Sequence, residues 1–162
     1  MKKISLLFIF VFLSGCAMFQ TEPPKTQLEI RQFQTRTYDT KNTKMIMKAM
    51  LNVLQDDGFM VKQVNLDLGL LSATKESDVE SSWNRVLSSS KDDSRWKKAS
   101  VMECTANVSE FGKKSQVRAT FSEKVLDNKG DVMGIEQIQN ANFYRDFFVK
   151  VDKGIFIQKE KL

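Results

Sequence analysis

Histidine is absent from this 162-residue chain. That removes Ser-His-Asp and Cys-His nucleophilic pairs and histidine-ligated zinc, which carry much of the hydrolytic chemistry of small domains. Cysteine occurs only at Cys16 and Cys104, and proline only at Pro23 and Pro24. A glycine-rich phosphate loop, a CxxC pair and a dinucleotide fingerprint are all missing. Neither sign of charge dominates. With 25 basic and 20 acidic side chains the net charge is +5, a mixed surface that argues against a basic groove for nucleic acid. An enzyme and a resident cofactor are therefore not expected.

What is present begins at the first residues. Met1-Lys2-Lys3 is followed by an almost uninterrupted apolar run, Ile4 to Leu13, and then by Leu13-Ser14-Gly15-Cys16. The run is long enough to engage a translocon and too short to span a bilayer, so residues 1–15 read as a secretory signal peptide. The alternatives are an ordinary secretory peptide with a chance cysteine, or an uncleaved anchor helix. Leu13-Ser14-Gly15-Cys16 resembles the lipobox of bacterial lipoproteins. The resemblance implies diacylation of the Cys16 thiol, cleavage before it and acylation of the new amine, a permanent hold on membrane lipid. Ala17 stands where an aspartate favours inner-membrane retention in the enterobacterial sorting pattern. By that resemblance the address is the outer membrane, facing the periplasm of a Gram-negative envelope.

Loss of Lys2 and Lys3 with the signal leaves 23 basic side chains against 20 acidic, a charge of +3. Residues 16–27 show neither a period of 2 nor one of 3.6 and read as the lipidated cysteine with its tether, ten residues of which reach about 35 Å. With Cys16 acylated, no disulfide is available to Cys104. Cys104 lies between Met102 and Ala106 on the inward face of a strand, a place for core packing, with a redox or partner-linking thiol as the alternative.

Residues 28–162 read as a single α+β domain. Leu28 to Tyr38 has the alternation and composition of a first strand. After Asp39-Thr40-Lys41-Asn42, a cap region, Ile46, Ala49, Met50, Val53 and Leu54 form one helical stripe. Gly58 supplies the left-handed end, and Phe59 falls where a Schellman motif folds an apolar side chain back. Phe59–Val64 and Leu70–Lys75 then read as a hairpin about Asn65-Leu66-Asp67-Leu68-Gly69. The runs Leu54-Gln55-Asp56-Asp57-Gly58-Phe59 and Gly69-Leu70-Leu71-Ser72-Ala73-Thr74-Lys75 resemble small envelope lipoproteins with an LQDxGF helix end and a GLIxAxK strand. Their order of elements is similar to the BamC-like helix-grip domains of an accessory lipoprotein of the β-barrel assembly machine. That implies architecture and names no active residue.

Residues 76–98 are serine-rich and read as an insertion. It holds both tryptophans, Trp83 and Trp96, which makes it the candidate contact for a protein partner or for lipid headgroups; the plainer account is that both rings cover a core edge. Alternation returns in Val101–Ser109 and Gln116–Phe121, and Val132–Ile138 suggests a short edge strand. The last segment carries Phe143, Tyr144, Phe147, Phe148, Val151 and Ile155 on one helical face, with Gly154 expected to end its stable part. The fold expected is β-α-β-β-insertion-β-β-(β)-α: an antiparallel or mixed sheet of five to six strands, two main helices packed on one face.

Three clusters suggest chemistry and point elsewhere. Asp56-Asp57 diverge by about 100° on a helix, so helix termination explains them better than a shared metal. Asp127-Asn128-Lys129-Gly130-Asp131 lacks the distal glutamate of a calcium loop and reads as a turn. Ser88-Ser89-Ser90-Lys91 lies in the insertion, which offers no rigid scaffold for a Ser-Lys catalyst. The function expected is a non-enzymatic envelope lipoprotein, an accessory or scaffold in an assembly or secretion complex. The alternative is a carrier of a small hydrophobic ligand or lipid, lined by Met102, Phe121, Phe143, Phe147 and Phe148. A carrier calls for a cavity of a few hundred cubic ångströms between sheet and helices, and a scaffold for solid packing.

Overall fold

Thr26 sets how the chain enters the fold. Its hydroxyl accepts the Glu29 N–H (3.3 Å) while the Glu29 carboxylate accepts the Thr26 N–H (2.7 Å), a reciprocal capping box. That backbone hydrogen bond is also the first reason the Glu29 carboxyl titrates below its usual range. The helix it starts, α1 (Gln27–Gln34), turns Ile30 and Gln34 inward one above the other. This corrects the strand expected over Leu28–Tyr38: only its last four residues, β1 (Thr35–Tyr38), are extended. The capping signal and an i, i+4 inward pair outweigh the weak alternation.

The computed structural model describes residues 25–78 and 97–160. After β1 come α2 (Thr43–Asp56), β2 (Met60–Asn65), β3 (Leu70–Asp78), β4 (Lys97–Phe111), β5 (Lys114–Asp127), β6 (Val132–Gln137) and α3 (Ala141–Glu160). The fold is α+β, with six strands, all paired antiparallel in the order β1-β5-β4-β3-β2, and β6 also on β5. The ends of the expected insertion belong to the sheet, since Glu76, Ser77 and Asp78 pair with Val101, Ser100 and Ala99.

Two short strands share one edge of β5. β1 takes its residues 115–118 and β6 takes 122–126, which leaves Ala119, Thr120 and Phe121 between them. The gap is closed from two sides. The Phe121 N–H donates to the Tyr144 hydroxyl of α3 (3.1 Å), and its carbonyl accepts from the Ile138 N–H (2.9 Å). The same hydroxyl accepts from Gln34 of α1 (3.2 Å), so one buried phenol ties strand, C-terminal helix and N-terminal helix together.

α2 is capped by Asn42, whose Oδ1 accepts the Met45 N–H (2.9 Å), and ends in a Schellman motif. There Gly58 (φ 83°) donates to Gln55 and Phe59 donates to Leu54. All five residues of its predicted stripe are buried, on the order of 2 kcal/mol for each large side chain. α3 lies antiparallel to it, with Lys150 against Asp57 and Gly154 against Ala49. Gly154 does not end α3, which continues to Glu160. A Cβ there would sit 3.3 Å from that of Ala49, so the glycine serves close helix approach instead.

In the β2–β3 turn Asn65 Oδ1 accepts from the Asp67 and Leu68 N–H groups, and Gly69 (φ 64°) lies so close to Val108 that a Cβ would fall 1.9 Å from its carbonyl oxygen. The β5–β6 turn is organised by Asp127, whose Oδ1 accepts from Lys129 and Asp131. Cys104 is buried in the core at 1% exposure, and burial pushes its thiol up to about 12.

Candidate functional site

A cleft arises because the strands outrun the helices. β4 has 15 residues and spans about 50 Å, whereas the 20 residues of α3 span about 30 Å. The covered face of the sheet changes character where cover runs out. Successive rows across β3, β4 and β5 read Leu71-Ala106-Ala119, Ala73-Cys104-Phe121, Lys75-Met102-Glu123 and Ser77-Ser100-Val125. The first two rows are small or apolar and lie under the helices. The last two mix polar and apolar side chains at the step where α2 ends and α3 begins.

At this step lies an open cleft of about 550 Å³. Its deep side is aromatic. The Phe121 ring, 1% exposed, meets Phe143 edge-to-face at 4.9 Å and Phe147 at 5.1 Å, with Phe59 at 6.0 Å. Its rim is charged. Lys150 pairs with the Asp57 carboxylate at 2.5 Å, and Lys75 donates to the Asp57 carbonyl at 2.7 Å while lying 5.9 Å from the Phe59 ring centre. Both lysines are thus held at the end of α2, where cations suit the exposed carbonyls. Glu123 and Asp146 stand elsewhere on the rim. The two hydroxyls in the cleft, Ser77 and Ser100, hydrogen-bond to each other at 3.0 Å.

Of the five side chains expected to line a cavity, Met102, Phe121, Phe143 and Phe147 do so. Phe148 does not. It is turned about 100° from Phe147 on α3 and is 2% exposed in the core. Lys75, Lys150, Glu123 and Asp146 were not anticipated, because nothing local announces a rim assembled from β3, β5 and α3. Cys16, Trp83, Trp96 and Ser88-Ser89-Ser90-Lys91 lie outside the described residues. The chain leaves β3 at Asp78 and rejoins the sheet at Lys97, one residue beyond Ser77 and three before Ser100 of the cleft. The opposite face of the sheet bears a shallower hollow of about 330 Å³ around Ser72, Thr105, Arg118 and Thr120. No described helix is long and apolar enough to cross a membrane.

No protein-family model matches the chain, and no curated protein does. Among solved structures it is similar to a TBP-like protein from Parabacteroides distasonis ATCC 8503, at 10% identity over 75% of this chain and 90% of that one, with a TM-score of 0.39. It is also similar to a DUF4468 family protein from Bacteroides ovatus ATCC 8483, at 9% identity over 82% and 89%, with a TM-score of 0.40. Likenesses this distant carry no argument about function.

Proposed function

We propose that this chain is a non-enzymatic envelope lipoprotein, held to membrane lipid through Cys16, whose domain is a binding module with the helix–sheet cleft as its recognition surface. The observation that carries the binding reading is the cleft itself: about 550 Å³, within the range of small-molecule sites, with an aromatic floor and a few convergent charges. It supports the carrier alternative over a solidly packed scaffold. The pairing of Ser77 with Ser100 favours binding over catalysis, since the cleft's hydroxyls face each other and not a general base. The lipoprotein part rests on the lipobox resemblance and Ala17, which favour the outer membrane, facing the periplasm. Trp83 and Trp96 remain the proposed contacts for a protein partner.

Two measurements test the parts separately. Feeding cells an alkynyl fatty acid should label the wild-type protein and leave Cys16→Ala unlabelled; label retained in that variant rejects the anchor. Native mass spectrometry of gently extracted protein should show a bound small molecule that Phe147→Glu, which places a charge on the cleft floor, no longer retains. A bare polypeptide mass across growth conditions rejects the carrier reading.

A further inference from the structure

The charged row at the cleft extends one strand further than its lining. From β3 to β6 it reads Lys75, Met102, Glu123, Glu136, each directly opposite the next. Side chains so opposed have Cβ atoms about 4.5–5.5 Å apart, and like charges in that relation destabilise a sheet. The cations close by are engaged elsewhere. Lys150 pairs with the Asp57 carboxylate, Lys75 donates to the Asp57 backbone carbonyl, and Lys124 pairs with Glu103 (3.1 Å) on the opposite face. Asp146, also on the rim, pairs among the described residues with its neighbour Arg145, at 3.4 Å. Among the described residues no hydrogen bond or ion pair neutralises Glu123 or Glu136, and no group of three or more His, Cys, Asp or Glu side chains gathers to hold a metal ion. Glu123 shares the cleft with the rings of Phe143 and Phe147, and aromatic rings attract cations to their faces.

We propose that the cleft takes an organic cation: an ammonium or guanidinium group carried on an apolar body. The charge lies by Glu123 and Glu136, and the body covers Met102 and the phenylalanine floor. This rests on the reading of the cleft as a binding site. An anionic ligand fits less well, because the Lys150 charge is already matched by the Asp57 carboxylate while Glu123 and Asp146 share the rim.

The test uses the full chain in nanodiscs with ¹³C-methyl methionine, Met102 as the reporter and exposed Met60 as the control. Three probes share one body: 4-phenylbutylammonium, 4-phenylbutanol and 4-phenylbutyrate. The ammonium should shift Met102 and bind about tenfold more tightly than the alcohol, with the carboxylate weakest. Its advantage should shrink as salt is raised. Glu123→Gln and Glu136→Gln should each bring the ammonium toward the alcohol. Glu136→Gln should also raise the ligand-free Tm by about 1–3 °C by relieving the opposed pair, a gain that a merely structural glutamate would not give. Equal binding of ammonium and alcohol, or tighter binding of the carboxylate, overturns the cation assignment and leaves the cleft as a site. If none of the three shifts Met102, the binding reading of the cleft falls as well.

Discussion

Removing a single oxygen from Tyr144 tests how the helices are fixed to the sheet. Tyr144→Phe keeps the ring, which sits 5.7 Å from Phe121 and 5.2 Å from Phe33, and so keeps the apolar packing. What it loses is the acceptor for two donors, the Phe121 N–H and the Gln34 amide. Gln34 is 1% exposed and Phe121 1%, so water cannot easily replace the phenol. A buried donor left unpaired costs roughly 1–3 kcal/mol. Burying one hydroxyl fewer returns part of that, and the expected loss is about 2–4 kcal/mol, or a fall in Tm of roughly 6–15 °C for a domain of this size. Urea denaturation followed by circular dichroism measures it. Gln34→Leu in the Tyr144→Phe background should recover part of the loss, because it removes one orphaned donor. A Tyr144→Phe loss below about 0.5 kcal/mol would mean that both donors find other partners and that the phenol does not tie the helices to the sheet.

Gly69→Ala should prevent stable folding or cost more than about 3 kcal/mol, since it combines a positive φ with a Cβ 1.9 Å from the Val108 carbonyl oxygen; soluble yield and urea midpoint measure it. Gly154→Val should cost about 1–3 kcal/mol by forcing α2 and α3 apart at Ala49, whereas Gly154→Ala should be much milder. Cys104 should resist thiol reagents at neutral pH until the protein unfolds, because burial holds it at about 12. As the folded state keeps that proton when the unfolded chain loses it, stability should fall as pH rises from about 9 toward 12, and Cys104→Ala should flatten this slope in urea titrations at stepped pH.

The parts of the fold legible in the sequence were those written in local chemistry. The α2 stripe, its Gly58-Phe59 end, the Asn65 turn and the strong alternation of β4 and β5 each depend on residues a few positions apart. α1 hid because Leu28, Ile30 and Gln32 mimic alternation, while the deciding pair, Thr26 and Glu29, lies at the edge of the segment. Gly154 was misleading because its use depends on Ala49, more than a hundred residues away. The cleft was half legible. The aromatic load of α3 and Phe121 marked its floor, but its rim depends on the registers that set Glu123 against Met102 and Glu136, and the latter register contains a bulge between Val125 and Leu126.

The proposal places the ligand in the cleft and not on the far face of the sheet. The most direct measurement is in-cell photocrosslinking from a reactive residue placed at Met102, with the same residue at Thr105 on the opposite face as reference. A discrete small-molecule adduct is expected at position 102, absent at position 105 and lost when Phe147→Glu is added. Equal labelling at both positions, or an adduct at 105 alone, would contradict it.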